Sequence, residues 1–322
     1  MVSKLRHWPL LLLFLIACSD KETKKCDVPD LDFRQEMREF VQGLSTYAKN
    51  INPDFLIVPQ NGQEILTTNS DPDGPLATDY INAIDAVGRE DLFYGYTGDD
   101  KSTPAADRDF LISFCNIAKD NGKLVLVTDY CSTHSKVDDS YQQNETKGYV
   151  SFAADHRELD NVPAYPATIH NGNDNNISTT TDIKNLLYLI NPSAFDTKQQ
   201  FLDAVQATDY DLVLIDLYFN DQMLTAADVE SLKEKANGGS RLVICYMSIG
   251  EAEDYRYYWS TLDKNLVCRE NPDWKGNFAV KYWEADWKSV IYGNDQSYLK
   301  KILGAGFNGV YLDIIEAYET FE

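Results

Sequence analysis

Short apolar runs alternate with longer amphipathic segments along most of the chain. Apolar residues that recur every three to four positions indicate helices, whereas continuous apolar runs bounded by turn residues indicate buried strands. This pattern predicts eight strands, at residues 54–61, 83–87, 124–130, 149–155, 186–191, 212–217, 242–250 and 309–313. It predicts helices at about residues 33–49, 104–120, 136–147, 197–207, 225–236 and 296–305.

The alternation of strands and helices predicts an α/β fold. Continuous apolar strands are typical of a parallel sheet that is covered on both faces. Eight such strands with intervening helices favour a (β/α)8 TIM barrel, and an open, doubly wound sheet is the alternative. No Gly-x-Gly-x-x-Gly motif follows a predicted strand, so a dinucleotide site has no support.

A change in composition divides the predicted barrel into two halves. Residues 156–184 are polar, rich in Asn and Thr, and without periodicity, which predicts a linker. The segments on either side, 33–155 and 185–322, contain four predicted strands each. We expect these halves to close together into a single TIM-barrel domain that spans residues 33–322.

The N-terminus has the pattern of a targeting segment. Lys4 and Arg6 precede an apolar run, residues 8–17, that is too short to span a bilayer. The run ends in Leu-Ile-Ala-Cys, which resembles a bacterial lipobox. We therefore predict residues 1–17 as a lipoprotein signal peptide and Cys18 as the lipidated residue, with an ordinary signal peptide as the alternative. Residues 18–32 would tether the domain to the outer membrane of the cell envelope, facing the periplasm or the surface.

The net charge of the chain limits the classes of partner that it can bind. Asp and Glu number 51 against 29 Lys and Arg, which gives a net charge of −22. Phosphate binding needs clustered Lys and Arg, so we expect no nucleic-acid partner. The acidity serves either solubility or a cleft that suits a cationic or hydroxyl-rich ligand.

The six cysteines and four histidines do not form a metal-binding pattern. No Cys-x-x-Cys pair or His-rich cluster occurs, so we expect no metal site and no cofactor. Lipidation of Cys18 leaves five cysteines, an odd number that cannot all pair within one chain. Cys115 and Cys245 lie in apolar segments, and we predict that both are buried thiols.

Polar and acidic residues follow most of the predicted strands. An isolated Asp after a strand is often a turn residue or a helix cap, but function in a barrel lies at the carboxyl ends of its strands. The candidates are Asn61, Glu90, Asp129, Asp155, Asp216, Glu251, Glu253 and Asp313. For Glu253 and its neighbours, an ion-paired loop with Arg256 is the alternative to substrate binding.

Aromatic residues accompany these acidic positions, including Tyr318 and Trp283, the latter either a core residue or a binding platform. Carboxylates and amides accept hydrogen bonds from hydroxyl groups, while aromatic faces pack on the apolar side of a sugar ring. Hydrolysis of a glycoside needs two carboxyl groups, one on each side of the scissile bond. The mixture therefore favours a polysaccharide as the partner.

Two segments near the C-terminus resemble the signatures of glycoside hydrolase family 114. They are LVICYMSIGEAEDYRYYW (242–259) and GFNGVYLDIIEAYETFE (306–322). The characterised activity of that family is endo-α-1,4-polygalactosaminidase, and one bacterial and archaeal branch was long described as related to cysteinyl-tRNA synthetase. The resemblance implies a glycoside hydrolase that acts on an α-linked, amino-sugar-containing polysaccharide.

The order of the resembling segments implies a circular permutation. In the family, both signatures lie in the first half of the barrel. The segments that normally follow them resemble residues 52–66, 81–94 and 122–130, which come first in this chain. Family strands five to eight would then occupy residues 33–155, and strands one to four would occupy residues 185–322.

The resemblance also implies roles for two carboxylates. Asp313 matches the strand-four carboxylate, the nucleophile of a retaining mechanism, and Glu90 matches the strand-six general acid/base. The neighbouring Asp91 leaves the register at Glu90 open. Leu312 stands where the fungal-type sequence has Pro, which places this chain in the uncharacterised branch. A non-catalytic glycan-binding surface lipoprotein on the same barrel is the alternative function.

Overall fold

The computed structural model describes residues 26–322. The predicted signal peptide and Cys18 lie outside these described residues, and so does most of the predicted tether. Among the described residues, no helix is both long enough and apolar enough to span a bilayer.

The strands of the described region include the eight that the sequence predicts and several short ones. They are β1 (Leu56–Pro59), β2 (Ala86–Glu90), β3 (Tyr94–Gly95), β4 (Gly98–Ser102), β5 (Leu124–Tyr130), β6 (Val150–Ala154), β7 (Leu186–Tyr188), β8 (Leu212–Ile215), β9 (Tyr218–Phe219), β10 (Gln222–Met223), β11 (Leu242–Ser248), β12 (Glu251–Glu253), β13 (Val267–Glu270), β14 (Asn277–Val280) and β15 (Gly309–Asp313).

The helices alternate with these strands along the chain. They are α1 (Phe33–Ile51), α2 (Thr78–Ala83), α3 (Ala105–Asp120), α4 (His134–Lys147), α5 (Lys198–Gln206), α6 (Ala226–Ser231), α7 (Ala285–Ile291) and α8 (Tyr298–Gly304), with 3-10 helices at Gln63–Leu66 and Ile315–Thr320. Asp32 begins α1 by accepting a hydrogen bond from the Gln35 amide, which satisfies one free N–H of the first turn.

Two parallel sheets form the centre of the fold, so the predicted α/β class with a parallel sheet is confirmed. One sheet has the order β1-β15-β11-β8-β7, and the other has the order β2-β5-β6. Their interior residues are almost wholly buried apolar side chains, as in Leu242–Ser248 and Leu212–Ile215. Continuous burial explains why these strands appear in the sequence as uninterrupted apolar runs.

The two parallel sheets are adjacent along both pairs of edge strands, β1 with β2 and β6 with β7. Gln60, directly after β1, forms a parallel bridge with Gly88 in β2, and the Asn61 amide donates to the Gly88 carbonyl at 2.9 Å. On the other side β6 lies beside β7, and the Leu159 carbonyl accepts hydrogen bonds from the amides of Ile190 and Asn191. Strands β1 and β15, which are remote in sequence, are neighbours in the first sheet.

Most predicted elements agree with the observed ones to within a few residues, and two differ for identifiable reasons. The second strand begins at Ala86 rather than residue 83, because helix α2 runs through Ala83. Helix α6 ends at Ser231 rather than near residue 236. Beyond it, Lys235 turns inward, and its fully buried ammonium group lies 2.6 Å from the Asp211 carboxylate.

The predicted linker contains neither a helix nor a strand, since no element lies between β6 and β7. It is nevertheless tied to the second half of the chain. Asn173 donates to the Asp211 carboxylate at 3.1 Å, and Asn176 accepts a hydrogen bond from the Ser240 amide at 3.0 Å. The polar composition that predicted a linker therefore supplies side chains that hydrogen-bond to the neighbouring loops.

A small antiparallel sheet, β12-β14-β13, follows β11 and was not predicted from the sequence. A disulfide between Cys26 and Cys268 joins β13 to the segment before α1. Cys115, Cys131 and Cys245 are buried free thiols, which confirms the prediction for Cys115 and Cys245. The disulfide was missed because pairing across 242 residues leaves no local pattern in the sequence.

Candidate active site

A cavity of about 890 Å³ opens at the carboxyl ends of the parallel strands. Both predicted catalytic carboxylates line it: Asp313, the last residue of β15, and Glu90, the last residue of β2. One comes from each half of the chain, so the packing of the two halves brings residues 223 positions apart to the same cavity.

Asp313 lines this cavity, which we call the main cavity. Its carboxylate accepts a hydrogen bond of 2.6 Å from the Tyr246 hydroxyl, and Tyr246 is presented by the neighbouring strand β11. Burial, followed by the negative charge of Glu90, raises the pKa of Asp313 from 3.8 to about 7. The negative charge of Glu90 therefore opposes ionisation of Asp313.

Glu90 is held by two donors. The Asn61 side-chain amide donates to Oε2 at 3.0 Å, and the Tyr130 hydroxyl donates to Oε1. Asn61 also accepts a hydrogen bond of 3.1 Å from the Glu90 backbone amide. Glu90 therefore holds the Asn61 side chain in place, and Asn61 in turn orients the Glu90 carboxylate. Asn61 lines the main cavity, as the sequence predicts.

Glu90 and its neighbour Asp91 have different surroundings. Asp91 does not line the main cavity and instead forms an ion pair with Arg157, with N–O distances of 2.6 and 3.2 Å. Burial raises the pKa of Asp91 to about 6 in spite of this cation. The Arg157 guanidinium carbon also lies 4.2 Å from the centre of the Tyr130 ring, so Arg157 supports the donor to Glu90.

Left-handed backbone conformations occur beside three strand ends at the site. Asn61 has φ of 57°, Asp91 has φ of 59° and Ile314 has φ of 61°. Asn and Asp tolerate this region, but a β-branched residue such as Ile rarely adopts it. Strain of this kind concentrates at functional sites. At Ile314 it turns the chain sharply out of β15 directly after Asp313.

A buried ion network forms another wall of the main cavity. The Arg256 guanidinium donates to both oxygens of Asp216, at 2.8 and 2.6 Å, and to Glu253, at 2.5 and 3.2 Å. Burial acts to lower the pKa of Arg256, but the negative charges of Asp216 and Glu253 have a larger effect. The pKa of Arg256 is therefore above its ordinary value. Both predicted carboxylates line the cavity, and the ion-paired alternative for this loop describes the observed contacts.

Comparison with known proteins relates the C-terminal part of the chain to one family. The model described as glycoside-hydrolase family GH114 matches residues 187–322. This segment, which we call the GH114 segment, is similar to family GH114. It supplies Asp313, Tyr246 and the Arg256 network, whereas Glu90 and its donors precede it. The family predicted from residues 242–259 and 306–322 is confirmed for this GH114 segment.

The alignments with curated relatives are about as long as the GH114 segment. An uncharacterized protein of Methanocaldococcus jannaschii is 38% identical over 130 residues, which cover 39% of this chain and 36% of the relative. Uncharacterized proteins of Deinococcus radiodurans and Thermotoga maritima are 35% identical over 128 residues and 32% identical over 119 residues. The alignment with the Deinococcus protein covers 38% of this chain and 39% of that protein. The alignment with the Thermotoga protein covers 36% of this chain and 35% of that protein. The chain thus spans well under half the length of the curated relatives it matches.

Among solved structures, that of Aspergillus fumigatus Ega3 in complex with galactosamine aligns with a TM-score of 0.29 and 23% identity. The alignment covers 34% of this chain and 39% of that chain.

Five predicted binding residues do not line the main cavity. Asp129 is the clearest correction: its fully buried carboxylate accepts from the amides of Phe93 and Tyr94 and from the side chains of Ser140 and Asn144. A carboxylate with four donors has no oxygen left for a ligand. Its place at the end of β5 was correctly predicted, but its side chain fixes the loop after β2.

Asp155 and Glu251 also bind protein groups rather than facing the cavity. Asp155 lies 2.8 Å from the His156 ring and 3.0 Å from the Asn161 amide nitrogen. Glu251, in the GH114 segment, accepts a hydrogen bond of 2.9 Å from Asn271 in the small sheet.

The two predicted aromatic residues belong to the core of the fold. Trp283 packs against Phe33 and Phe321, with ring centroids 4.9 and 4.8 Å apart, so the core alternative for this residue is the observed one. Tyr318 is fully buried, and the Arg34 guanidinium lies 4.5 Å from its ring centre.

Several cavity residues were not predicted from the sequence. Tyr188 and Tyr246 line the cavity from strands β7 and β11 of the GH114 segment, and the apolar pattern of these strands does not distinguish them from core residues. Trp274, in the turn between β13 and β14, lines the cavity with 55% of its surface exposed. A tryptophan within a polar run that contains Pro and Gly, residues 269–277, is a sequence signal that could have identified it.

Proposed function

We propose that this chain is a glycoside hydrolase with Asp313 and Glu90 as its catalytic pair. The observation that carries this proposal is that both carboxylates, one from each half, line the same cavity with hydrogen-bond donors in place. The GH114 sequence of the segment that contains Asp313 supports the same activity.

In the proposed retaining mechanism, the Asp313 carboxylate attacks the anomeric carbon while Glu90 protonates the departing glycosidic oxygen. This step forms a covalent glycosyl ester on Asp313. Glu90, now ionised, takes a proton from a water molecule, which attacks the same carbon and releases the sugar and the Asp313 carboxylate. Tyr246 and Asn61 orient the two carboxyl groups, since each donates to one of them.

The pair must hold one proton for this mechanism to begin. In the unliganded site, the raised pKa of Asp313 keeps one proton on the pair near neutral pH. The proposed roles require that proton on Glu90 once the glycosidic oxygen is bound. The transfer occurs within the pair and changes neither its charge nor its proton count.

The proposed substrate is an α-linked polysaccharide that contains amino sugars. Seven carboxyl groups and three cationic side chains line the main cavity: Glu90, Glu158, Asp216, Asp221, Glu253, Asp313 and Glu316, against Arg157, Arg256 and Lys275. An excess of acidic groups in a concave site raises the local concentration of cations. The exposed rings of Trp274 and Tyr255 add faces on which sugar rings can pack.

We further propose that the two parallel sheets form one closed eight-stranded barrel whose chain order is circularly permuted. The GH114 segment contributes β8, β11 and β15 and most of β7, which are neighbours in space. Strand β1 continues from β15, and the bridge between Gln60 and Gly88 leads on to β2. Glu322 lies against Arg34 at 2.8 Å, so the end of one half meets the start of the other.

A rearranged chain tests the permutation. Residues 185–322 followed by residues 33–155, joined by a short Gly/Ser linker, are expected to fold with the wild-type circular dichroism spectrum and a cooperative melt. The matched control joins the same two segments in their native order without the linker 156–184. Folding of the control alone would contradict the proposed permutation.

An assay of the full chain tests the activity. Wild-type protein is expected to release oligosaccharides from a de-N-acetylated galactosamine polymer, and Glu90→Gln, with a verified fold, is expected to release none. Absence of product from this polymer and from a broad glycan panel, with binding retained, would instead favour the glycan-binding lipoprotein.

The activity is expected to fall as pH rises above about 7. Below this value the pair keeps its proton; above it Asp313 ionises and no acid remains to protonate the leaving oxygen. We expect kcat/KM to decrease by about tenfold per pH unit on the alkaline side. The measurement is a pH profile on an oligosaccharide whose amino groups are titrated separately. Glu316→Gln serves as the control and should retain the decline, while a flat profile from pH 6 to pH 9 would contradict it.

We propose that the protein is exported and lipid-anchored through Cys18. The disulfide between Cys26 and Cys268 supports export, because disulfides persist mainly outside the cytoplasm. Cells that produce the wild-type chain are expected to incorporate labelled palmitate into it, and Cys18→Ser should abolish the label. Equal labelling of both forms would exclude this anchor.

A further inference from the structure

The loop that follows strand β6 forms part of the wall of the main cavity. It spans residues 155–161, and we call it the β6 loop. Three consecutive residues of the β6 loop, Arg157, Glu158 and Leu159, line the main cavity. Whatever fixes the shape of the β6 loop therefore also fixes one wall of the candidate active site.

Arg157 extends from the β6 loop to the segment that follows Glu90. Its guanidinium pairs with the Asp91 carboxylate at 2.6 and 3.2 Å, donates to the Gly95 carbonyl at 2.6 Å, and lies 2.7 Å from the Asp99 carboxylate. Gly95 has φ of 122°, and a Cβ atom there would collide with the Asp91 carboxylate, so this arrangement requires glycine. Several partners on different parts of the chain hold the guanidinium in one place, as a single exposed ion pair would not.

The guanidinium of Arg157 lies over the ring of Tyr130, with its central carbon 4.2 Å from the ring centroid. Tyr130 is only 2% exposed, and its hydroxyl donates to Glu90 Oε1. Arg157 itself forms no hydrogen bond or ion pair with Glu90 in the described part of the chain. Two routes from Arg157 to Glu90 remain, one through the Tyr130 ring and one through Asp91, which directly follows Glu90.

His156 holds the β6 loop from within. Its Nε2 lies 2.6 Å from Asp160 Oδ1, and its Nδ1 lies 2.8 Å from Asp155 Oδ1. A neutral ring has a proton on only one nitrogen and would direct a lone pair at one of these carboxylates, so this geometry favours the charged ring.

The hydrogen bond to Asp160 raises the pKa of His156. Burial has a smaller, opposing effect, and the negative charges of Asp155 and Glu158 add to the rise. Arg157 is the next residue in the chain, so the bridge from Asp155 through His156 to Asp160 fixes the backbone from which Arg157 extends.

We propose that Arg157 is a positioning residue for Glu90 and acts through Tyr130. The charged form of His156 sets the place of Arg157. A general acid must lie within hydrogen-bond reach of the oxygen that it protonates, so a small rotation of the Glu90 carboxyl group slows the transfer. The role of Glu90 as proton donor rests on the proposed function, whereas the placement of its carboxyl group does not.

Carbon-13 NMR of the full chain, labelled at the glutamate carboxyl carbons, tests this placement without any turnover. The Glu90 signal is identified by its absence in Glu90→Gln. Tyr130→Phe removes a donor and is expected to shift the Glu90 signal, and Arg157→Met should shift it in the same direction. The double variant should match Tyr130→Phe alone, because both changes act on one hydrogen bond. Additive shifts, or a wild-type signal in Arg157→Met, would overturn the route through Tyr130.

Arg157→Lys separates position from charge. Lys keeps the cation but lacks the planar group that pairs with a carboxylate and stacks on a ring, so this variant should shift the Glu90 signal nearly as far as Arg157→Met. A wild-type signal in Arg157→Lys would show that charge alone acts, which contradicts the proposal. Arg157→Lys also carries the test if Arg157→Met does not fold. Arg108→Met, which removes a guanidinium paired with the exposed Asp109, is the matched control and should leave the signal unchanged.

Asp160→Asn tests the contribution of His156. In nitrogen-15 NMR, the His156 ring is expected to lose its charge at a higher pH in wild type than in Asp160→Asn, with its signals assigned by their absence in His156→Gln. The Glu90 carboxyl signal of Asp160→Asn should move towards that of Arg157→Met. Equal titration of the ring in both proteins, or an unchanged Glu90 signal, would remove His156 from the proposal.

Kinetics distinguish positioning from substrate binding. Arg157→Met and Tyr130→Phe are each expected to lower kcat by about tenfold and to leave KM within about twofold, and the double variant should be no slower than Tyr130→Phe. A rise in KM alone would make Arg157 a binding residue and overturn the proposal. If wild type hydrolyses no glycan but the Glu90 signal shifts as expected, the positioning stands and the proposed function fails. If hydrolysis occurs without those shifts, the reverse holds.

Discussion

Replacement of Asp313 by Asn is expected to abolish hydrolysis and to stabilise the protein. Loss of the nucleophile should lower kcat by about a thousandfold or more. Asn keeps the size of the side chain and still accepts the hydrogen bond from Tyr246, so the fold should be retained. The measurements are turnover of a galactosamine polymer and the free energy of unfolding in denaturant.

The gain in stability should depend on pH in a defined direction. Folding raises the pKa of Asp313 from 3.8 to about 7, so ionisation of this group opposes folding. That cost is absent below about pH 4, grows as pH rises to about 7, and is constant above it. It corresponds to about 1–4 kcal/mol at pH 8, which Asp313→Asn removes. Equal gains at pH 4 and pH 8 would contradict this explanation, and Asp109→Asn should show no gain at either pH.

Replacement of Arg256 by Met is expected to destabilise the protein strongly. Arg256 is the shared cation of Asp216 and Glu253, and all three side chains are buried. Without it, two carboxylates face each other with little solvent. Removal of one partner from a buried ion pair costs about 3–5 kcal/mol. The measurement is the free energy of unfolding at neutral pH.

Neutral partners provide the control for this loss. In Arg256→Met/Asp216→Asn/Glu253→Gln no unpaired charge remains, so most of the lost stability should return. If the triple variant is as unstable as the single one, packing of the long Arg side chain, rather than charge, maintains this wall. Because Asp216 and Glu253 line the main cavity, the triple variant should also bind a cationic glycan more weakly than wild type.

The local pattern of the sequence was sufficient to predict the main strands and most helices. Strands β5 and β15 were predicted at their observed bounds, because continuous burial of both faces leaves a continuous apolar run. The short strands around the main cavity were not predicted. Elements of two to four residues, such as β9 and β12, depend on partners elsewhere in the chain and have little pattern of their own.

The candidate site was predicted in part. Asp313, Glu90 and Asn61 line the main cavity, as do Asp216 and Glu253. Asp129 has the same sequence context, a carboxylate at the end of an apolar strand, and is enclosed by four donors. Sequence position locates the end of a strand, but the surrounding packing decides whether a side chain faces solvent or the interior.

The sequence by itself determined the α/β class, the GH114 segment, the acidic character of the chain and the carboxylates at its strand ends. These features depend on residue type and on neighbours close in the chain. Only the tertiary structure decided that β1 pairs with β15, that Cys26 bonds to Cys268, and that Glu90 and Asp313 share a cavity. Such contacts join residues hundreds of positions apart, and they form because burying the apolar faces of both halves together is more favourable than leaving either exposed.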